Sequence, residues 1–244
     1  TKLLPTFTLV LLLIGCDRSV DKKTYTDKKE VADNPATFFS RNVGDTFSIF
    51  ISLPTDYDSK RNIKYSVIYL LDANLYFDIV AATLKKYSEV GILPSAVLVG
   101  IGYKTIQTMD SLRNRDFTYP AAIPEYEMSV SGNADKFLSF ILNELVPEID
   151  TKYSVDKNSR VLFGHSLGGY FTLYALYQNL LSKNGAFSAY ISASPSTHYN
   201  HKYILDELAK LNIVNVPKIK SYITFGGLED EEDEDSSQLK TDKV

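Results

Sequence analysis

The sequence predicts an α/β protein with a mainly parallel central sheet covered by helices on both faces. Short β-rich runs alternate with stretches of helical apolar spacing along most of the chain. Near-continuous apolar strands such as Val67-Ile68-Tyr69-Leu70-Leu71 suit a sheet buried on both sides. With 244 residues, of which 44% are hydrophobic, there is enough apolar material for one substantial core, so one folded domain is expected.

The elements justify that class in order. Residues 46–52, 65–71, 96–101, 160–163, 189–192 and 221–225 carry strand patterns. Residues 76–87 and 134–149 place apolar side chains at helical intervals, and a third helix over 167–181 follows directly on a glycine turn. No internal repeat interrupts this alternation.

The chain's start differs from the rest. Lys2 precedes an apolar run over 9–14, then Gly15 and Cys16. The run is short for a bilayer span and has the proportions of a secretory signal. Leu13-Ile14-Gly15-Cys16 resembles a bacterial lipobox, so residues 1–16 are expected to be a signal peptide and Cys16 the lipidated N-terminus of an exported, membrane-anchored protein. An ordinary signal peptide and a buried apolar segment are the alternatives. Residues 17–36 are polar and lysine-rich without periodicity, which suits a tether, and 37–244 form the expected folded domain. Thr1 in place of Met suggests that this end is cut.

The balance of charge and the cysteine count exclude several functions. A net charge of -4, with the acidic excess near the C-terminus, leaves no basic surface to collect phosphates, so nucleic acid is not an expected partner. Cys16 is the single cysteine, so there is no intrachain disulfide, and no Cys/His cluster has metal-ligand spacing. Neither a metal nor another cofactor is expected.

The motif that carries chemistry is Gly164-His165-Ser166-Leu167-Gly168-Gly169. The strand pattern Val161-Leu162-Phe163 runs into it and an apolar helix leaves it, which is the context that the G-x-S-x-G nucleophile turn requires. A serine held on a strained turn leaves no room for side chains two positions before and after it, hence the glycines. Ser166 is the expected nucleophile, and the Leu167 N–H, at a helix N-terminus, points toward an oxyanion formed on the attacked carbonyl. His165 is adjacent to Ser166, yet neighbouring side chains on such a turn diverge, so it is expected to pack beneath the turn and not to act as base.

Several segments together resemble the putative-esterase family of α/β-hydrolases. They are Tyr69-Leu70-Leu71-Asp72-Ala73-Asn74-Leu75-Tyr76-Phe77, Val99-Gly100-Ile101, Arg113-Asn114-Arg115-Asp116-Phe117-Thr118, the stretch from Phe137-Leu138 to Pro147-Glu148-Ile149-Asp150, the serine turn and Ser194-Pro195-Ser196. The resemblance implies an α/β-hydrolase three-layer sandwich and a serine carboxylic ester hydrolase acting on a small, siderophore-type or sugar-type ester. It also implies that the loop after the Leu-Leu-Asp strand gives the second oxyanion donor, here Ala73 where relatives usually have glycine. Asp72 and Asn74 of that loop, with His198 and Tyr199 after the Ser-Pro-Ser segment, are the implied substrate contacts. Asp72 has a competing reading as a capping or turn residue, and His198 and Tyr199 one as exposed loop residues. Relatives often carry tryptophan after Ser-Pro-Ser, whereas this chain has none.

A serine hydroxyl needs a histidine to take its proton and a carboxylate to orient that histidine, in the chain order Ser, acid, His. Gly226-Gly227-Leu228-Glu229 after the last strand makes Glu229 the expected acid and Asp230 the second choice, although both open an acidic run of the kind that is usually solvated. The three histidines, His165, His198 and His201, all precede Glu229. A fragment lacking its last strand, catalytic histidine and closing helix, with little activity as it stands, is the expectation. The alternatives are His198 or His201 as base in a rearranged site, and a hydrolase scaffold that only binds. An acyltransferase would use the same residues.

Overall fold

The computed structural model describes residues 35–59, 62–183, 185–212 and 218–227. Seven strands form one sheet in the order β1-β2-β4-β3-β5-β6-β7. These are β1 (Ala36–Ser40), β2 (Asp45–Ser52), β3 (Tyr65–Leu70), β4 (Ala96–Gly102), β5 (Val155–His165), β6 (Ala189–Ala193) and β7 (Lys220–Thr224). β1 and β2 form an antiparallel hairpin and β2 pairs antiparallel with β4, whereas β4, β3, β5, β6 and β7 are mutually parallel. The helices are α1 (Ala73–Glu89), α2 (Ile106–Phe117), α3 (Ala134–Phe140), α4 (Val146–Lys152), α5 (Leu167–Ser182) and α6 (Tyr199–Ala209).

The strand period of two divides the core between the sheet's faces. Val67, Tyr69, Val97, Val99 and Ile101 point one way, into a large cluster with Phe117, Phe137, Phe140, Phe171 and Tyr174 from α2, α3 and α5. Leu70 and Leu98 point the other way and meet Ala73, Phe77 and Ala81 of α1. The expected three-layer architecture is therefore present. Parallel order also brings the C-terminal ends of β3, β5 and β6 to one edge, where ligand sites of such sheets form.

Some elements differ from the sequence reading. Strand β1 begins at Ala36, where the tether was expected to end. The helical stretch expected over 134–149 runs on to Lys152 and contains a π-helical turn over Ile141–Leu145. Helices α2 and α6 have no counterpart in the periodicity. In α2 only Met109, Asp116 and Phe117 are buried, too few for an apolar stripe. In α6 the left-handed residues Asn200, His201 and Lys202 break the helical pattern near its start. Cys16 and the rest of residues 1–34 lie outside the described residues. Among the described residues no helix is long and apolar enough to cross a membrane.

Candidate active site

Ser166 stands between the end of β5 and the start of α5, with φ 55° and ψ −120°. A non-glycine residue there costs about 1–3 kcal/mol and persists only when its surroundings hold it. They do so through the backbone: Ser166 N–H donates to Ala193 O at 2.9 Å, and Ser166 O accepts from Tyr170 N at 2.9 Å and Ser196 N at 3.1 Å. The turn is too tight for side chains around it, since a methyl on Gly164 would sit 2.2 Å from Gly168 O. The Ser166 hydroxyl is half-buried and lies 3.3 Å from Ser196 Oγ.

The second helix start lies against the first. Leu71 N–H donates to Phe163 O at 2.9 Å, so the loop after β3 runs beside the end of β5. Asp72 then turns left-handed, at φ 51°, and Ala73 opens α1. A methyl built on Gly168 would come 3.2 Å from Asp72 Oδ2 and 3.5 Å from Leu71 Cβ, so the starts of α1 and α5 are neighbours. As the first residues of their helices, Ala73 and Leu167 have backbone N–H groups with no intrahelical acceptor. Two neighbouring helix starts beside a strand-end serine offer donors of the kind that suits an oxyanion.

Three expected substrate contacts prove to be committed elsewhere. Asp72 is wholly buried, with Oδ1 accepting from Arg113 Nε at 3.1 Å and Oδ2 from Arg113 Nη2 at 2.8 Å. Its side chain does not cap α1. Burial pushes its carboxyl above the ordinary range, with Arg113 pulling the other way. Asn74 donates to Tyr103 O at 2.8 Å and accepts from Tyr103 N at 2.7 Å, which ties α1 to the end of β4. Tyr199 is 1% exposed and its hydroxyl donates to Pro120 O at 2.9 Å, so it supports the loop from beneath the surface.

None of the three histidines hydrogen-bonds Ser166 among the described residues. His165 Nδ1 lies 3.0 Å from Tyr76 Oη, on α1. His198 is exposed, its ring 6.3 Å from that of Tyr126 and nearly parallel to it, and its backbone O accepts from Tyr126 Oη at 2.8 Å. His201 is exposed on the left-handed turn. Ser194 N–H donates to Thr224 O at 2.7 Å, which brings the end of β7 to the edge that holds Ser166. Glu229 and Asp230 follow shortly and lie outside the described residues.

Three neighbours of the turn were not among the expected site residues. Arg113 and Tyr76 are joined to the turn only through tertiary contacts, and Ser196 was noted only as part of Ser-Pro-Ser. The signal for Arg113 was its place in the family-resembling segment 113–118, and its partner became visible only with the burial of Asp72.

An open, mainly parallel sheet with a strained serine turn between a central strand and its helix defines an α/β-hydrolase. The chain belongs to the putative esterase family, whose model matches residues 40–236, and is by that membership an ester hydrolase. It is 41% identical over 204 residues to ferri-bacillibactin esterase BesA of Bacillus subtilis, spanning 78% of this chain and 68% of that protein. It is 29% identical over 181 residues to a siderophore triacetylfusarinine C esterase of Aspergillus fumigatus, spanning 71% of this chain and 60% of that one. The crystal structure of BES protein from Bacillus cereus matches with a TM-score of 0.72 at 27% identity, covering 100% of this chain and 87% of that chain.

Proposed function

We propose that the protein hydrolyses the ester bonds of a siderophore through an acyl-enzyme on Ser166. The observation that carries the reading is the serine at φ 55° beside two helix starts. Ser166 Oγ attacks the ester carbonyl, and the N–H groups of Leu167 and Ala73 stabilise the oxyanion, a donor of this kind being worth about 10²–10³ in rate. The alcohol leaves, and water releases the acid from the serine. Glu229 is the proposed carboxylate behind the histidine that moves the proton. The relatives named as siderophore esterases support this choice of substrate class. The wall formed by Tyr126, His198 and the 196–202 segment stands next to Ser166 and is proposed to receive the bulk of the substrate.

The test is hydrolysis of ferri-bacillibactin by the intact protein, compared with short p-nitrophenyl esters and followed by mass analysis of the products. Opened and shortened siderophore products, absent with Ser166→Ala, are expected. Binding of the siderophore without any cleavage favours a second reading, a binding protein on a hydrolase scaffold, which the lack of a histidine bonded to Ser166 motivates. Transfer of the acyl group to an added alcohol in preference to water marks an acyltransferase. Export and lipid anchoring through Cys16 remain part of the proposal, and incorporation of labelled fatty acid that Cys16→Ser abolishes is the expected outcome.

A further inference from the structure

Arg113 touches no reacting atom in the proposed chemistry, yet it is built into the site. Its side chain is 18% exposed, and its guanidinium grips both oxygens of the fully buried Asp72 and lies 5.7 Å from the Phe117 ring centroid. A two-point grip of this kind fixes direction as well as charge.

What Asp72 does not do is informative. An aspartate immediately before a helix ordinarily turns its carboxylate onto the first free N–H groups. Here it makes no such bond: its left-handed backbone, at φ 51° and ψ 42°, departs from the extended conformation of a capping residue. Its carboxylate is turned instead onto α2, against the start of α5 at Gly168. The first N–H groups of α1 are thereby left without a side-chain acceptor, and the negative charge beside them is neutralised.

We propose that Arg113 is a positioning residue: it grips and neutralises the buried Asp72 carboxylate, holding the left-handed turn before α1 so that the Ala73 N–H stays free for the oxyanion. The inference rests on the reading of Ser166 as nucleophile. Without Arg113, an unpaired buried carboxylate stands beside the start of α1, where its charge opposes an oxyanion and loosens the turn. Burial already disfavours the charged carboxylate, so the pair depends on the guanidinium.

The test compares wild type, Arg113→Gln, Arg113→Lys and the double variant Arg113→Gln with Asp72→Gly. Glycine accepts the left-handed backbone of position 72 while removing the carboxylate. Readouts are kcat and KM on a p-nitrophenyl ester, the rate of Ser166 labelling by a fluorophosphonate, and thermal midpoint. Arg113→Gln is expected to lose about 10²-fold in kcat and labelling rate, as for a lost oxyanion donor, with KM within about threefold. Arg113→Lys, which keeps the charge and the fold but loses the two-point grip, should fall between. The double variant should regain about tenfold over Arg113→Gln. A double variant no faster than Arg113→Gln, or folded variants labelled at the wild-type rate, overturns the inference while leaving the nucleophile intact. A wild-type protein that is not labelled refutes the nucleophile reading itself.

Discussion

The serine turn and the wall beside it are built by different means. The turn at 164–169 is held by backbone: three main-chain hydrogen bonds pin Ser166, and glycines admit the close approach of β5 to α5. The wall is held by side chains: Asn200 Nδ2 donates to Ala121 O at 2.8 Å, its Oδ1 accepts from Ile123 N at 3.1 Å, and Tyr126, Tyr170 and Tyr199 pack ring against ring. Backbone geometry survives exchange of neighbouring side chains, whereas side-chain geometry changes with each substitution. On the proposed function, reactivity is therefore fixed in the turn, and selectivity is open to variation in the wall.

Breaking the turn has the largest expected effect. Gly164→Ala drives a methyl to 2.2 Å from Gly168 O, a clash with backbone that no side chain can relieve. A loss of at least about 3 kcal/mol in stability is expected, from urea unfolding. Labelling of Ser166 should fall by about 10²-fold or more in whatever remains folded. Wild-type labelling would show that the turn is not set by this contact.

Loosening the wall is expected to act on binding alone. Asn200→Gly keeps the left-handed backbone at φ 47° and removes both bonds to the 121–123 segment. Each bond contributes about 1 kcal/mol net, so KM for the siderophore should rise about three- to tenfold. Labelling by a small fluorophosphonate should stay within about twofold of wild type. A fall in labelling as large as that of Gly164→Ala would erase the distinction between the two regions.

The smallest effect concerns the link between them. Tyr177 on α5 donates to Glu207 on α6 at 2.9 Å, and burial, then that bond, push its phenol up to about 12. A folded-state value above the unfolded one contributes stability below about pH 10 that is lost as pH rises through about 12. Solvent screening keeps this below about 1 kcal/mol. Tyr177→Phe should flatten that part of the alkaline stability profile and leave neutral-pH kinetics unchanged.

The same contrast explains what could be read in the sequence. Six strands and the serine turn were legible because apolar runs and glycine spacing are local signals. Helix α2 was not, because it carries Arg113 and Arg115 into tertiary ion pairs with Asp72 and Asp45, which leave no apolar stripe. Asp72, Asn74 and Tyr199 were assigned to the substrate because the right loops were found. Their partners, Arg113, the Tyr103 backbone and Pro120, lie 41, 29 and 79 residues away in the chain, beyond any local pattern.

The central claim is that Ser166 is the nucleophile of an ester hydrolase, and active-site labelling tests it most directly. The intact protein, treated with a fluorophosphonate and digested, should carry one phosphonyl group on the peptide containing Ser166. Prior incubation with ferri-bacillibactin should slow the labelling, and Ser166→Ala should abolish it. A protein that binds the siderophore while Ser166 stays unmodified at saturating probe would contradict the account.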